Sequence, residues 1–424
     1  MPLAVDTDNC GQDPIFLIMS VTFLQGSSTM SMTKSSKSQP LLLMVAGAKG
    51  AVGSTLAVVV AAMSQRPEAI LPSLTTAQML ADLLPSKPVH MVGWDWNDSS
   101  LFECIKAHGV LSKELWEPYE RELAQVKVHV PPKASLDLPG QVDSLKQDIL
   151  AFKKQYPQAA SVLINLLPAA PTRDLNKLEN LSQLYSEVGP EDLPDLPYIL
   201  AAILAGVPIV NFTPNQVEIP VVIKEAIKQG VPISGRDGKT GQTYLKVVLA
   251  SALKARNLIV DGWYSLNILG NEDGKNLMDP HRAVGKLYNK TNVLDDIMGY
   301  QVGERYGVST HKVKIDYYPP RGDAKEAWDV IDFLGVFGLP MSLRLNLQGR
   351  DSILAAPLAL DLARWMVVLQ LAGRSGPVPE LAFYYKQPVG HEAPLTFQDQ
   401  VAVLRELGLW CREKILKERG QQTA

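Results

Sequence analysis

Near residue 41, a short apolar segment, a glycine-rich turn and a second apolar segment follow one another. Leu41-Leu-Leu-Met-Val-Ala46 is typical of a strand buried on both faces, and Ser54 to Met63 is typical of a buried helix. Between them lies Gly47-Ala-Lys-Gly-Ala-Val-Gly53. Glycines there allow a tight turn and let backbone N–H groups approach a pyrophosphate at a helix N-terminus. The pattern predicts a dinucleotide-binding βα unit, and the alternative is a glycine turn without a ligand.

The predicted cofactor contacts come from this turn and from the end of the next strand. Asp95 follows the apolar segment Val89-His-Met-Val-Gly93 and is well placed to bind a ribose hydroxyl. Glu68 is the weaker candidate, because it lies in a proline-flanked loop. The predicted cofactor-binding residues are Gly47, Ala48, Lys49, Gly50, Ala51, Val52, Gly53, Ser54 and Asp95.

The rest of the chain divides into two parts with different patterns of apolar and polar residues. Apolar segments at 161–165, 207–211 and 231–234 alternate with helical stretches, which predicts an α/β fold with a Rossmann-type doubly wound parallel sheet. From about residue 257, Lys312–Tyr317 and Ser342–Leu347 alternate apolar and polar residues, as in an antiparallel sheet with one buried face. This second part is predicted to be an inserted α+β domain.

Composition excludes several classes of function. Lys plus Arg is 41 and Asp plus Glu is 44, so no basic excess exists to follow a nucleic-acid backbone. The apolar segment Pro14–Leu24 is shorter than the roughly 20 residues that cross a bilayer, so no membrane partner is expected. The cysteines, Cys10, Cys104 and Cys411, are too scattered for a disulfide scaffold and fit a reducing, cytoplasmic compartment.

A second glycine-containing turn precedes another apolar helix. Ser234-Gly-Arg-Asp-Gly-Lys-Thr-Gly-Gln-Thr243 follows a strand and leads into the helix Tyr244–Leu253. Exposed N–H groups and the helix dipole favour an anion at such a place. The predicted phosphate-binding residues are Thr240, Gly241, Gln242 and Thr243, and the alternative is an ordinary capped helix.

Polar residues are dense downstream of this turn. Lys286 and Lys290 share one face if their segment is helical, and an anion between them would relieve their repulsion. Asp323 is placed to cap a helix that begins near Lys325. Asp351 is placed in the same way before an apolar helix ending at Leu371. Taken singly, each of these features is commoner as a structural element.

Taken in order, these segments resemble the inositol-phosphate synthase family (L-myo-inositol-1-phosphate synthase) from about residue 41 to 390. The strongest part is Ser265-Leu-Asn-Ile-Leu-Gly-Asn-Glu-Asp-Gly-Lys-Asn-Leu277, followed by two lysines and a double Asp. Gly322-Asp-Ala-Lys325, Asp351-Ser-Ile-Leu-Ala-Ala-Pro-Leu358 and Gly93-Trp-Asp95 match further family motifs. Several rare motifs in the right order are more specific than any one of them.

The resemblance implies NAD as cofactor, D-glucose 6-phosphate as substrate, a homotetramer and an activating cation, which is monovalent in some members and divalent in others. The sugar is oxidised at carbon 5, enolised, closed by an intramolecular aldol step and reduced again, which gives 1L-myo-inositol 1-phosphate. It also implies three parts of the chain: an NAD-binding domain at 41–243, a catalytic and tetramerisation domain at 244–352, and a returning segment at 353–424. A flexible leader at 1–40 is predicted instead from its own sequence, because residues 27–39 are polar and low in complexity.

The resemblance assigns roles to individual residues. Lys286 would relay the proton at the carbon 5 oxygen with Asp273 orienting it, and Lys386 would stand near the carbon 1 oxygen. Lys290 and Lys325 would bind phosphate with the Thr240–Thr243 turn. The remaining implied residues are Asp237, Asp323 and Asp351, which orient lysines or bind hydroxyls, and Asn267, Asn271 and Asn276, which position substrate or cofactor.

Two segments depart from the family pattern. The glycine turn lacks the G-x-G-G-N-N-G-S motif that is common in the family. The family's T-A-N-T-E segment is replaced here by Asn165-Leu-Leu-Pro-Ala-Ala-Pro-Thr172. Two other functions stay open at this point: a different NAD-dependent sugar-phosphate dehydrogenase, and a non-catalytic homologue that binds NAD or a sugar phosphate.

Overall fold

The computed structural model describes residues 39–84, 88–170, 173–271, 274–275, 278 and 293–422. Of the predicted leader, only residues 39 and 40 fall within these ranges. The helices and strands below are those of the described residues.

The first sheet is parallel throughout and has the order β3-β2-β1-β4-β5-β6-β11. In β1 every residue is buried, because helices cover both faces of the sheet. Ala46, the last residue of β1, pairs with Trp94 on one side and with Asn165 on the other. The strand order therefore reverses at β1, which is where doubly wound sheets bind ligands. The strands are β1 Leu41–Ala46, β2 Val89–Trp94, β3 Lys127–His129, β4 Ala160–Asn165, β5 Ile209–Asn211, β6 Pro232–Gly235 and β11 Gly376–Pro377.

Two apolar cores lie on opposite faces of this sheet. Alternate residues of β1 enter each core: Leu41, Leu43 and Val45 one, Leu42 and Met44 the other. The helices are α1 Ala51–Gln65, α2 Pro67–Ile70, α3 Thr76–Met79, α4 Leu101–His108, α5 Lys113–Trp116, α6 Glu120–Leu123, α7 Leu138–Gln155, α8 Leu181–Glu187, α9 Leu196–Leu204, α10 Pro220–Lys228, α11 Gln242–Ala255, α12 Asp351–Leu371 and α13 Phe397–Gln422.

The second sheet is mixed and has the order β10-β9-β7-β8. β9 pairs antiparallel with β7 and β10, as the alternating sequence predicts for β10. The antiparallel prediction is wrong for β8, which runs parallel to β7, because residues 270–310 supply a connection long enough for a crossover. The strands are β7 Ile259–Leu269, β8 His311–Tyr317, β9 Ala324–Leu334 and β10 Pro340–Arg350.

The segment after Asp323 is a strand and not the predicted helix. Ala324–Leu334 forms β9, in which buried and more exposed residues alternate from Ala327 to Asp332. β-branched and aromatic side chains at Trp328, Val330 and Ile331 favour an extended backbone, and pairing with two neighbouring strands overrides the local capping signal of Asp323.

The long apolar helix belongs to the first core. Within the described ranges, α12 is the one helix long and apolar enough to cross a bilayer, and 78% of its most apolar window is buried inside the protein. Ala356, Ala359 and Ala363 lie in the same core cluster as Leu56 and Ala57 of α1. Small side chains there let the two helices pack closely, which is typical of a core helix.

Candidate active site

The glycine turn joins β1 to α1 at the reversal point of the first sheet. Gly47 has φ +83°, which favours glycine, and its N–H donates to Trp94 O at 2.9 Å. A Cβ on Gly53 would lie 2.4 Å from Gly47 O and 2.7 Å from Ala48 O. Glycine at 53 therefore lets α1 approach the turn closely, as the dinucleotide-binding pattern requires.

The partial positive charge at the N-terminus of α1 is not balanced by an acidic residue of the helix's own first turn. Gly50 caps it without a side-chain hydrogen bond, and its first turn carries no acidic residue. Ser54 and Thr55 turn their hydroxyls inward, to Ala51 O at 3.3 and 2.7 Å. Backbone N–H groups and the helix dipole, rather than these hydroxyls, are what the turn offers an anion.

Asp95 lies beside the turn, directly after β2. Its Oδ2 accepts from Lys49 N at 2.8 Å and its Oδ1 from Asn97 N at 2.9 Å. The Lys49 ammonium donates to Asn97 O at 2.5 Å, so the Lys49 side chain lies against this loop. These bonds hold the carboxylate at the end of the strand next to β1, the usual place of the ribose-binding acid.

Asp237 and Lys386 meet because their two segments pair. Lys386 N donates to Asp237 O at 2.8 Å, and Gly238 and Tyr385 form an isolated antiparallel bridge. The Lys386 ammonium then donates to Asp237 Oδ1 at 2.6 Å, with only 13% of the lysine side chain exposed. Residues 149 positions apart thus form an ion pair with little contact with water.

Lys325 and Asp351 meet through the β9–β10 hairpin. Its register pairs Lys325 with Gly349, and Asp351 follows two residues later at the start of α12. Lys325 Nζ lies 3.0 Å from Asp351 Oδ2, and Thr240 Oγ1 donates to Asp351 Oδ1 at 3.1 Å. Burial opposes ionisation of Asp351, but Lys325, Lys386 and Thr240 outweigh it and lower its pKa to about 2.

Asp323 and two predicted asparagines lie in the same region of the second sheet. Asp323 Oδ1 accepts from Asn271 Nδ2 at 3.3 Å and from Ser352 Oγ at 3.4 Å. Burial raises the pKa of Asp323, and its Oδ2 is buried without a hydrogen-bond partner among the described residues. Asn267 is fully buried, and neither atom of its amide has a partner within the same part of the chain.

The phosphate-binding turn ends at the start of α11. Gly241 is the N-cap residue, no side chain caps the helix, and its first turn has no acidic residue. Thr240 is engaged with Asp351, and Gln242 Nε2 donates to Asp329 Oδ2 at 2.9 Å. The helix start and Thr243 remain for an anion, beside the Lys325–Asp351 pair.

The structure therefore brings together five of the predicted residues: Asp237, Thr240, Lys325, Asp351 and Lys386. Asp273, Asn276, Lys286 and Lys290 lie outside the described residues, as does Thr172. Their roles stay predictions.

Lys239 is a site lysine to which the sequence analysis assigns no role. Its side chain is buried, and Nζ donates to Ala382 O at 2.9 Å and to Gln400 Oε1 at 2.8 Å. Burial, together with the charge of Lys386, lowers its pKa to about 7. In the sequence, the position of Lys239 directly before Thr240 of the phosphate-binding turn could have indicated a role for it.

A second unpredicted group is a polar network under the first turn of α11. Lys246 Nζ lies 2.6 Å from His311 Nε2 and donates to Ser265 Oγ at 3.2 Å. Asp329 accepts from Ser265, Trp263 and Gln242. Burial lowers the pKa of Lys246 to about 8, against the effect of Asp329. This network holds the start of α11 against the second sheet.

A metal centre has no support in the described ranges. They contain no group of three or more His, Cys, Asp or Glu side chains that could hold a metal ion. The activating cation that the resemblance implies stays a prediction.

Comparisons with known proteins identify the family and the fold. The family model described as Myo-inositol-1-phosphate synthase matches residues 241–352. Inositol-3-phosphate synthase 1 of Bacteroides thetaiotaomicron is 35% identical over 387 residues, which cover 82% of this chain and 89% of that protein. Inositol-3-phosphate synthase of Spirodela polyrhiza is 31% identical, but the match covers 64% of this chain and 58% of the plant protein.

The fold also has a solved counterpart. The crystal structure of inositol-3-phosphate synthase from Caenorhabditis elegans superposes with a TM-score of 0.76, over 88% of this chain and 86% of that one, at 22% identity. The architecture is thus that of a Rossmann-like sheet with a second, inserted sheet, as the sequence predicts. With the bacterial relative matched over nearly its whole length, the family resemblance is confirmed: the chain belongs to the inositol-3-phosphate synthase family, a family of isomerases.

Proposed function

We propose that this protein converts D-glucose 6-phosphate to 1L-myo-inositol 1-phosphate with NAD as a recycled cofactor. The observation that carries the proposal is the cluster in which Thr240 of the phosphate-binding turn contacts Asp351, beside the Lys325 and Lys386 ammonium groups. A phosphorylated substrate needs an anion-binding turn, and a reaction through alkoxides and an enolate needs fixed cations.

The residues around the glycine turn fit NAD. Gly53 lets α1 pack closely against the turn, the start of α1 has no side-chain cap, and Asp95 stands at the end of the adjacent strand. The N–H groups from Ala51 to Gly53 would hold the pyrophosphate, Gly47 and Gly50 would shape the turn around it, and Asp95 would hold a ribose hydroxyl. When bound, NAD supplies reversible hydride acceptance at carbon 5 of the sugar.

The lysines act through their position. An ammonium group has three donors, so Lys325 and Lys386 can each hold an aspartate and still donate to a substrate oxygen. We assign Lys325 to the phosphate and Lys386 to the carbon 1 oxygen, where negative charge develops on ring closure. Asp351 and Asp237 fix the two ammonium groups before substrate arrives, which avoids reorganisation during the reaction. The proton at the carbon 5 oxygen stays assigned to Lys286.

The domain boundaries are part of the proposal. We place the NAD-binding domain at 41–243, the catalytic domain at 244–352 and the returning segment at 353–424. Supporting this division, the first six strands of the parallel sheet end at Gly235, its seventh strand is Gly376–Pro377, and the second sheet spans Ile259 to Arg350. A cytoplasmic location is supported by Cys104 and Cys411, which are free and buried.

A homotetramer is supported by the exposed edge of the second sheet at β10. β10 is an edge strand with most of its residues exposed, and the hairpin before it exposes 93% of Phe337. Unpaired strand edges with large exposed apolar side chains are typical of interfaces. We propose a second copy of this chain as the occupant. The exposed apolar residues of this edge and hairpin are Val336, Phe337, Leu339, Met341 and Leu343.

We expect the double variant Phe337→Asn, Leu343→Lys to lower the mass of the native protein to that of a dimer or a monomer. Asparagine tolerates the positive φ of residue 337, so the change removes apolar surface without new backbone strain. Light scattering after size-exclusion chromatography measures the mass. Leu409→Asn, at an exposed apolar position of α13, is the control and should keep the wild-type mass. An unchanged mass in the double variant would refute this interface.

The reaction itself is tested with catalytic NAD⁺ and an excess of D-glucose 6-phosphate. We expect a single inositol monophosphate, identified by phosphorus and proton NMR, with no accumulation of NADH at 340 nm. A dehydrogenase would instead form NADH in proportion to substrate consumed. A binding protein would give neither signal, although calorimetry would still show NAD⁺ and the sugar phosphate to bind. Either of these two outcomes would falsify the proposed function.

A further inference from the structure

A buried glutamate, Glu218, forms part of the wall of the cavity that contains Lys386. The cavity has a volume of about 410 Å³, and its polar lining includes Glu218, Arg236, Lys239, Lys386 and Gln387. Glu218 lies in the loop between β5 and α10, at the edge of the sheet where the parallel strands end. Only 2% of its side chain is exposed. No motif in the sequence indicates this residue.

One oxygen of Glu218 is fixed and the other is free. Oε1 accepts from Asn211 Nδ2 at 2.7 Å. Oε2 is buried without a hydrogen-bond partner among the described residues, and Arg236 Nη1, at 3.9 Å, is too far to donate. A buried acceptor without a donor destabilises the folded protein. Such a cost is offset if a ligand supplies the donor.

The neighbours of Glu218 leave its carboxylate little freedom. Asn211 Oδ1 accepts from Asn165 Nδ2 at 3.1 Å and from Thr213 Oγ1 at 3.0 Å. The amide nitrogen of Asn211 must therefore point at Glu218. A Cβ on Gly235 would lie 2.0 Å from Glu218 Oε1, so the last residue of β6 leaves room for the carboxylate. The last residues of β4, β5 and β6, which are Asn165, Asn211 and Gly235, thus fix the position of the Glu218 carboxylate.

The chemistry of the cavity restricts what Oε2 can bind. The ionised Glu218 carboxylate repels an anion, so the phosphate is not the partner of Oε2. A cationic ligand would compete with the Arg236 guanidinium for Oε2. Arg236 lies on the same wall of the cavity, where its Nε donates to Gln387 Oε1 at 2.9 Å. A neutral hydrogen-bond donor fits best, and a sugar hydroxyl and the carboxamide of nicotinamide both have this chemistry.

We propose that Glu218 is a further binding residue of this enzyme, and that its free Oε2 accepts a hydrogen bond from a neutral donor of the ligand in the cavity. The proposal rests on the proposed function, because it takes the ligand to be NAD or the phosphorylated sugar. Burial raises the pKa of Glu218 to about 7, against the effect of Arg236. The ionised form accepts the bond, so kcat/KM should rise with pH through about 7.

The test compares Glu218→Gln with the wild-type protein and with Glu225→Gln. Glu225 is a buried glutamate on α10 that bonds to Lys228 and Gln229 and does not line the cavity. We expect Glu218→Gln to weaken one ligand about tenfold, the loss of one charged hydrogen bond, and to remove the rise of kcat/KM near pH 7. Glu225→Gln should change neither. Glu218→Asp, whose shorter side chain cannot reach the same point, should weaken the same ligand.

The affected ligand identifies the donor. A higher Kd for NAD⁺ by calorimetry, with the KM for glucose 6-phosphate unchanged, assigns the bond to the carboxamide, and the reverse assigns it to a sugar hydroxyl. Unchanged affinity for both ligands in a folded Glu218→Gln protein, with the wild-type pH profile, would overturn the proposal. If the wild-type protein does not cyclise glucose 6-phosphate, the proposed function fails, while calorimetry with NAD⁺ and glucose 6-phosphate separately still decides whether Glu218 binds either.

Discussion

Replacing Lys386 by methionine is expected to lower kcat by about a thousandfold, the upper end of what removal of one oxyanion-stabilising donor costs. Methionine keeps about the length and the packing of the lysine stem and removes the ammonium group, with its charge and its hydrogen-bond donors. The ammonium lies 2.6 Å from Asp237 Oδ1 in a poorly hydrated site, so water cannot easily replace it. Initial-rate kinetics with glucose 6-phosphate measure the effect, and NAD⁺ should still bind in calorimetry.

Lys314→Met is the matched control for this variant. Lys314 also pairs with an aspartate, Asp316, at 3.5 Å, but 61% of its side chain is exposed on β8. Exposed ion pairs contribute little, so kcat should stay within twofold of the wild-type value. A kcat for Lys386→Met within tenfold of wild type would mean that this lysine does not stabilise the reacting oxygen.

The parts of this site that sequence alone predicts are those encoded in short segments. Gly47 to Gly53 carries its own strand, turn and helix signals, and its geometry is local. Asp95 follows from the end of β2 in the same way. Lys325 and Asp351 are predicted because each stands in a rare family motif, and Asp237 and Lys386 because the resemblance implies roles for them. The sequence does not show which of them touch.

The contacts between these segments depend on pairing over long distances. Lys325 meets Asp351 only because the β9–β10 hairpin has its observed register, and a shift by one residue would move them apart. Pairing with β7 and β10 also explains why the segment after Asp323 is a strand and not the predicted helix. Local capping signals contribute about 1 kcal/mol, whereas a strand with two paired neighbours satisfies its backbone hydrogen bonds along its whole length.

Buried ionisable residues are the ones that sequence reasoning missed. Lys239, Lys246 and Glu218 are charged residue types, and such residues are usually exposed. Each is buried here because polar groups from distant segments surround it, such as Gln400 for Lys239 and His311 for Lys246. The residues next to them in the chain do not indicate which distant groups they contact. Only the folded arrangement shows that they line the cavity or support it.

Replacing Gly53 by alanine is expected to weaken NAD⁺ binding about a hundredfold, equivalent to ~2.7 kcal/mol. The added methyl carbon would lie 2.4 Å from Gly47 O and 2.7 Å from Ala48 O, and both are backbone atoms that no rotamer change can move. The start of α1 must therefore shift away from β1, and its N–H groups leave the position that a pyrophosphate needs. Calorimetric titration with NAD⁺ measures the loss, and the thermal midpoint should fall because close packing at the turn is lost.

Gly50→Ala is the control that separates this clash from any general sensitivity of the turn. A Cβ on Gly50 would lie 3.4 Å from Gly47 O, an ordinary contact, and its φ of −64° suits alanine. We therefore expect Gly50→Ala to unfold at the wild-type temperature and to bind NAD⁺ more tightly than Gly53→Ala does. Wild-type affinity in Gly53→Ala would place the cofactor away from this turn. It would also remove the reason to treat the reversal point at β1 as the dinucleotide site.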